Sequence, residues 1–177
     1  MAPSQSFEPL SAPNAAVLIL GSLPGKRSLQ EQQYYAQPRN AFWRIMGELF
    51  RAGPALPYAE RVQRLVDSSI ALWDVVASAE RPGSLDASII ASSVVVNDFA
   101  AFFGRHPKIE LVCFNGAKAA ELYERRVLPT LDDAAKRTRH ERLPSTSPAH
   151  AAMRFEEKLA CWSVLKQALD GLERGPC

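Results

Sequence analysis

Three runs of the chain are apolar at consecutive positions, and between them apolar residues recur every three or four places. This is the pattern of buried strands alternating with amphipathic helices. Ala15 to Leu20 is the first run, ended by Gly21. From Asn40 the period changes: Phe42, Ile45, Met46, Leu49 and Phe50 form one helical stripe that stops before Gly53-Pro54, with Asn40 where an N-cap belongs. Tyr58, Val62, Leu65 and Val66 mark a second amphipathic helix, and Ile70 to Val76 a second buried strand. Asn97 is expected to cap a short helix through Phe99, Phe102 and Phe103, broken by Gly104 and Pro107. Ile109 to Phe114 supplies the third strand, and Asn115-Gly116 turns it into a helix from Ala117 to Val127. A polar connector from Pro129 to Arg139 leads to a short fourth strand, His140 to Leu143. One long helix closes the chain on Phe155, Leu159, Trp162, Leu165, Leu169 and Leu172, before Gly171 and Gly175-Pro176 fray it. Residues 1–14 read as a flexible lead-in.

Alternation of this kind predicts a three-layer α/β/α sandwich around a mainly parallel, roughly four-stranded sheet, with residues 15–177 forming a single domain. The 177 residues at 47% hydrophobic content suffice for one core and leave no room for a second domain. A formal charge of +2 does not announce a polyanion partner from bulk electrostatics, so such a partner has to be argued from local patches. Three scattered cysteines, Cys113, Cys161 and Cys177, argue against a disulfide framework or a zinc knuckle and suit a reducing cytoplasm. Neither a leader peptide nor a stretch near the roughly 20 apolar residues that span a bilayer is present, so no membrane association is expected.

Two loops, each directly after a strand, carry the chemistry. One runs from Gly21-Ser22-Leu23-Pro24-Gly25 into Tyr34-Tyr35-Ala36-Gln37-Pro38-Arg39-Asn40-Ala41-Phe42-Trp43; the other is Ser145-Thr146-Ser147-Pro148-Ala149-His150. In a parallel sheet both sit at the carboxyl ends of the strands, where such folds bind ligands. The first loop has neither the Gly-x-Gly-x-x-Gly dinucleotide fingerprint nor the phosphate loop's Gly-x-x-x-x-Gly-Lys-Ser/Thr.

Taken in order with Leu72-Trp73-Asp74-Val75 and Phe114-Asn115-Gly116, these segments resemble the uracil-DNA glycosylase superfamily, and within it the hypoxanthine-DNA (deoxyinosine) glycosylase branch; the mismatch-specific uracil/thymine glycosylases are the nearest relatives. The resemblance runs from about residue 15 to the last helix. It implies a monofunctional enzyme that flips a deaminated base, hypoxanthine with uracil as a second candidate, out of DNA and hydrolyses its N-glycosidic bond without metal or cofactor. No lysine holds a matching nucleophile position, so no lyase step is implied.

Site residues follow from the same resemblance. The family's usual water-placing Asp or Asn in the first motif is replaced by Leu23, which cannot hydrogen-bond. In the hypoxanthine branch the role passes to the asparagine of Pro-x-Asn-x-Phe-Trp, here Asn40, which also reads as a plain helix cap. Tyr35 matches the aromatic that stacks on the flipped base, and Ser22, Leu23, Asp74 and Ser145 match positions around the base edge. Tyr34 and Tyr35 have a second reading as loop aromatics closing the core, and Phe42 and Trp43 read as packing residues. Asn115, in an Asn-Gly pair, reads as a turn residue. Ser147, Pro148, Ala149 and His150 match the loop that enters the minor groove. Small Ala149 is a poor wedge at its tip, while His150 could fill or stack. Lys26, Arg27 and Arg39 on one lip, and Lys136, Arg137, Arg139, His140 and Arg142 ahead of the second loop, are expected to serve the DNA backbone. DNA bearing a deaminated base is the expected partner, with the protein acting as a monomer. Three other readings stay open: a nucleic-acid-binding member that has lost catalysis, a mismatch-type uracil/thymine-DNA glycosylase, and a small-molecule α/β enzyme or binding domain.

Overall fold

The computed structural model describes residues 3–173, so the Gly175-Pro176 helix end and Cys177 lie outside the described residues. Its elements in chain order are β1 (Ser4–Gln5), β2 (Val17–Gly21), α1 (Lys26–Glu31), α2 (Phe42–Phe50), α3 (Tyr58–Asp67), β3 (Ile70–Asp74), β4 (Val76–Ala79), β5 (Val95–Val96), α4 (Phe99–Arg105), β6 (Leu111–Asn115), α5 (Ala117–Leu122), α6 (Asp133–Lys136), β7 (Arg139–Leu143), α7 (Phe155–Trp162) and α8 (Val164–Glu173). The central sheet has four strands in the order β3-β2-β6-β7, and every pairing in it is parallel.

The unbroken apolar runs follow from burial on both faces. In β2, Val17 and Ile19 pack with Ile70, Leu72, Leu111 and Cys113 under the layer of α2, α3, α7 and α8. Leu18 and Leu20 point the other way and pack with Trp73, Val112 and Phe114 under α4 and α5. A period of two with both faces covered leaves no polar position to alternate. Edge strand β7 pairs on one side only, and its Arg-His-Glu-Arg sequence is what a sheet edge exposed to water tolerates. Among the described residues no helix is long and apolar enough to cross a membrane.

Five local expectations need correction. The lead-in is built into the fold: β1 pairs antiparallel with β4, and Leu10 exchanges two 2.9 Å backbone hydrogen bonds with Leu72. The Ile70–Val76 run splits, because after Asp74 the chain leaves the main sheet and β4 joins a second, three-stranded sheet β1-β4-β5. Asp98, not Asn97, caps α4, accepting from Ala101 N at 3.0 Å; Asn97 instead donates to the Asp74 carbonyl at 2.8 Å and holds the end of β3. The helix after Gly116 is regular only to Leu122 and continues as a wider π turn over Tyr123–Val127. The last helix is two, divided at Ser163, whose hydroxyl donates to the Ala160 carbonyl at 2.6 Å; the second runs through Gly171 to Glu173. A short polar side chain that bonds the preceding turn competes with the helix ladder in this way.

Candidate active site

The sheet delivers four chain segments to one edge. Gly21 ends β2 beside Asp74 at the end of β3, and Asn115 ends β6 beside Leu143 at the end of β7. The loops that follow enclose a cleft of about 680 Å³, lined among others by Ser22 to Arg27, Tyr34, Tyr35, Asn40, Asp74 and Ser145 to His150. A volume of this size lies within the range of small-molecule sites.

Backbone geometry at the strand ends is tight. A Cβ added at Gly21 would sit 2.7 Å from Asp74 Oδ1 and 3.1 Å from Tyr35 Oη. Gly21→Ala therefore has to displace one of two enclosed polar groups, and we expect it to lower stability by about 1–3 kcal/mol. Chemical denaturation of the two proteins checks this, and an unchanged midpoint would mean that the cleft floor yields freely. Gly116 has φ 93°, a left-handed conformation that suits glycine, and a Cβ there would approach Ser145 Cβ to 3.1 Å.

The two motif loops are joined directly. Ala41 N donates to the Thr146 carbonyl at 3.0 Å, so the residue next to Asn40 is hydrogen-bonded to the second loop. Thr146 is itself held by Asn115 in a reciprocal pair: Asn115 Nδ2 donates to Thr146 Oγ1 at 2.9 Å, and Thr146 N donates to Asn115 Oδ1 at 2.9 Å. Both residues are buried, so this pair fastens the end of β6 to the second loop. Asn115 is thus more than a turn former. Thr146 went unassigned because nothing local distinguishes it; only its pairing with a residue 31 positions away does.

Asn40 lines the cleft, half-buried. Its Oδ1 accepts from Phe42 N at 3.0 Å, which assigns the carbonyl end of the amide to the start of α2. The helix proper begins one residue later than expected, with Ala41 in the cap position. A carbonyl oxygen has two lone pairs, and the bond to Phe42 uses one. Capping and water placement are therefore compatible in a single side chain.

Tyr34 and Tyr35 part company. Tyr34 is buried, with its ring edge-on to Phe7 at 5.1 Å and its carbonyl accepting from Trp43 Nε1 at 2.8 Å. Tyr35 is half-buried, lines the cleft, and stacks on Phe42 at 4.0 Å and 23°. Its φ of 53° is unusual for a bulky residue, a strained conformation of the kind found at functional sites. Tyr35 Oη is buried without a hydrogen-bond partner, and burial, aided by the Asp74 charge, holds it far above the ordinary phenol range, so it stays a donor. Phe42 and Trp43 are core residues.

The floor of the cleft is acidic. Burial pushes the Asp74 carboxyl up to about 7, against a 3.1 Å hydrogen bond from Ser6 to Oδ2, and the charge of Asp86 adds to the rise. Asp86, which local sequence did not single out, lines the cleft and accepts from Ser22 Oγ at 2.6 Å; burial raises its carboxyl as well. Arg81 lies buried beneath the first loop, donating to the carbonyls of Leu23 and Pro24. The side chain of Leu23 packs into the core, 6% exposed, while the residue lines the cleft.

The mouth is basic. Lys26, Arg27, Arg39 and His150 all lie on it, and among the described residues Lys26 and Arg39 have no ion-pair partner. Arg27 is paired with Glu31 at 3.3 Å. The second basic group is placed otherwise. Arg142 forks onto Glu124 with two 2.6 Å contacts, and Arg139 pairs with Glu141 at 2.6 Å. His140 lies edge-on to Phe114 and Tyr123, where burial lowers its pKa and favours the neutral ring. None of these three, nor Lys136 or Arg137, lines the cleft: on β7 the two arginines are held in surface ion pairs and His140 packs against Phe114 and Tyr123, while Lys136 and Arg137 precede that strand. Ser145, Ser147, Pro148 and Ala149 do line it. The loop is braced by Lys158, a buried lysine whose Nζ donates to the His150 carbonyl at 2.8 Å.

An acidic floor bearing exchangeable protons, an aromatic wall and a cationic rim suit a ligand with a flat hydrogen-bonding head and an anionic tail. Comparisons with known proteins place the chain in one family. The family model described as the uracil DNA glycosylase superfamily matches residues 8–166. A hypoxanthine DNA glycosylase of Methanosarcina acetivorans is 38% identical over 133 residues, covering 70% of this chain and 83% of that protein. One from Methanosarcina barkeri is 34% identical over 143 residues, covering 76% and 89%. A solution NMR structure of a protein from M. acetivorans, described as a "putative Uracil DNA glycosylase", superposes with a TM-score of 0.78 at 32% identity over 94% of this chain and 99% of that one.

Proposed function

The chain belongs to the uracil DNA glycosylase superfamily and is a monofunctional DNA glycosylase, and on that premise we propose that it removes hypoxanthine, with uracil as a second substrate, using a water aimed by Asn40. One observation carries the reading: the 3.0 Å bond from Ala41 N to Thr146 O puts the Asn40 amide, the Tyr35 ring and the second loop around one cleft wide enough for a nucleobase.

Breaking an N-glycosidic bond develops positive charge on the sugar and negative charge on the departing base. The base has first to leave the stack, which costs a few kcal/mol and least for a mispaired base. Tyr35 receives it by stacking, a contact worth about 1–3 kcal/mol that is indifferent to sequence. Asp74 meets its edge and Ser145 stands beside it. The second unshared pair of Asn40 Oδ1 orients water toward the anomeric carbon. An amide cannot accept the water's proton as a carboxylate would, so the rate depends on stabilising the leaving base. Lys26, Arg39 and the Ser147-Pro148 turn hold the phosphates on either side, and Ala149 and His150 face the duplex. The protein works as a monomer on DNA in the cytoplasm.

The experiment is an excision panel: duplexes with a single inosine, uracil, xanthine or thymine mismatch, incubated with the protein and then cleaved at abasic sites. Hypoxanthine is expected to be released fastest and uracil next. Release from the thymine mismatch alone would make this a mismatch-type enzyme, and release from none would overturn the reading.

A further inference from the structure

The serines that line the cleft use their hydroxyls in two ways. Ser28, Ser84, Ser145 and Ser147 each accept from a backbone N–H, at 3.3, 3.4, 3.2 and 3.2 Å, which leaves their protons free to donate. Ser22 is the exception. Its Oγ gives its proton to Asp86 Oδ1 at 2.6 Å and accepts from no donor among the described residues. A hydroxyl has one proton and two lone pairs, so acceptor capacity is all that Ser22 has left for a ligand.

Both partners of this bond are held in place. Ser22 is 6% exposed, and its carbonyl accepts from Val76 N at 3.0 Å. The loop that carries Asp86 is anchored by buried Arg81, which donates to the Leu23 and Pro24 carbonyls, and is closed by Ile90 N donating to the Glu80 carbonyl at 2.9 Å. A separation of 2.6 Å is that of an O–H donating to a carboxylate. Burial raises the Asp86 carboxyl, while the bond from Ser22 and the charges of Arg81 and Lys118 oppose the rise.

What an acceptor-only hydroxyl adds follows from its neighbour. Ser22 comes directly after Gly21, which is in register with Asp74. A neutral Asp74 carboxyl, the form that burial favours, both donates and accepts. It can meet the N–H and carbonyl of hypoxanthine and equally, with the two roles exchanged, the bare ring nitrogen and amino group of adenine. Asp74 alone does not separate the two bases. An enzyme that removes deaminated adenine has to, because intact adenine is abundant in every DNA.

We infer that Asp86 is a positioning residue for base selectivity: by taking the Ser22 proton it leaves an acceptor on the cleft floor, which suits the ring N–H of hypoxanthine and opposes the bare ring nitrogen of adenine. The inference rests on the glycosylase reading above. Two acceptors facing each other away from water are both left unpaired, and a site built to receive an N–H rejects an analogue that lacks it.

The test measures single-turnover release from oligonucleotides in which one inosine or one adenosine lies in an unpaired bubble, so that pairing strength plays no part. The unaltered protein is compared with Asp86→Ala, Ser22→Ala and the double variant. Asp86→Ala is expected to lower the ratio of hypoxanthine to adenine release about tenfold or more, with adenine release rising, because the freed Ser22 hydroxyl can turn and donate. Ser22→Ala brings no such rise, and adding it to Asp86→Ala abolishes the rise. Asp86→Asn, of the same shape and able to donate to Ser22 as well as accept from it, is expected to move the ratio the same way and carries the test if Asp86→Ala does not fold. Equal slowing on both bases, an unchanged ratio, or adenine release that persists in the double variant would overturn the inference. Failure of the unaltered protein to release hypoxanthine would overturn the glycosylase reading and this inference with it.

Discussion

Replacing Asn40 by alanine is expected to slow base release by about 100-fold or more while leaving affinity for DNA nearly intact. The reason is geometric. Asn40 Oδ1 is already pinned by the Phe42 N–H at 3.0 Å, so its remaining lone pair has a set direction, and a water bound there is oriented at no further entropic cost. Nothing else in the first loop takes over, since Leu23 has no polar group and Ser22 is committed to Asp86. Affinity is expected to survive because the proposed phosphate contacts lie elsewhere, at Lys26, Arg39 and the Ser147-Pro148 turn. The substitution also removes the hydrogen bond that satisfies Phe42 N at the start of α2, which costs about 1 kcal/mol of stability, so thermal denaturation has to accompany the rate measurement. Asn40→Asp, whose carboxylate keeps the bond to Phe42 N and a second oxygen for the water, is expected to retain both stability and base release. Release by Asn40→Ala at the unaltered rate would remove Asn40 from the mechanism.

The second large effect is a pH dependence that originates in Asp74. Its carboxyl, at about 7 in the folded protein, lies well above the ordinary value of 3.8. Between those values the folded state holds a proton that the unfolded chain releases. Asp74 therefore contributes stability that is full below about pH 4 and lost as pH rises through 7, on the order of a few kcal/mol in total. Asp74→Asn should flatten that slope, gaining on the unaltered protein as pH goes from 5 to 8 in urea denaturation. Catalysis should follow the same proton. A neutral carboxyl both donates and accepts, matching the adjacent N–H and carbonyl of hypoxanthine or uracil, whereas the carboxylate only accepts. Single-turnover release is thus expected to fall between pH 6 and 8.5 with a midpoint near 7. The Asp74→Asn protein, whose carboxamide has the same donor and acceptor pattern as the neutral acid, should lose that step. A midpoint that persists in Asp74→Asn belongs to another group, and Asp86, also raised by burial, is the first to examine.

Asp74 also shows how far a sequence can be read and where reading stops. That it ends a strand beside Gly21 was legible, because Ile70 to Leu72 and Val17 to Leu20 are apolar without interruption and only strands covered on both faces carry such runs. Its proton affinity was not, because it depends on burial, on Ser6 from the lead-in and on Asp86 from a loop twelve residues on. Ser6 sits in a segment whose polar, proline-containing composition resembles linker; β1 is an ordered strand because β4 offers an edge, which no local pattern reveals. Asn97 and Asp98 are both competent caps, and the choice fell to Asp98 because the Asp74 carbonyl required the donor that Asn97 has and Asp98 lacks. Arg142 belongs to a run of cations that resembles a phosphate-binding patch, but it lies within reach of Glu124, and opposite charges at that distance pair.

By itself the sequence determined the alternation of strands and helices, the parallel sheet and the two loops at its carboxyl edge, since periodicity and turn chemistry are local and each residue carries them alone. Only the tertiary structure decided which side chains share the cleft: that Thr146 and Asn115 bolt the loops together, that Asp86 joins Asp74 on the floor, and that Arg142 and His140 stay away. Those relations depend on distances between residues far apart in the chain and on the water excluded between them, and both quantities come into being only when the chain packs.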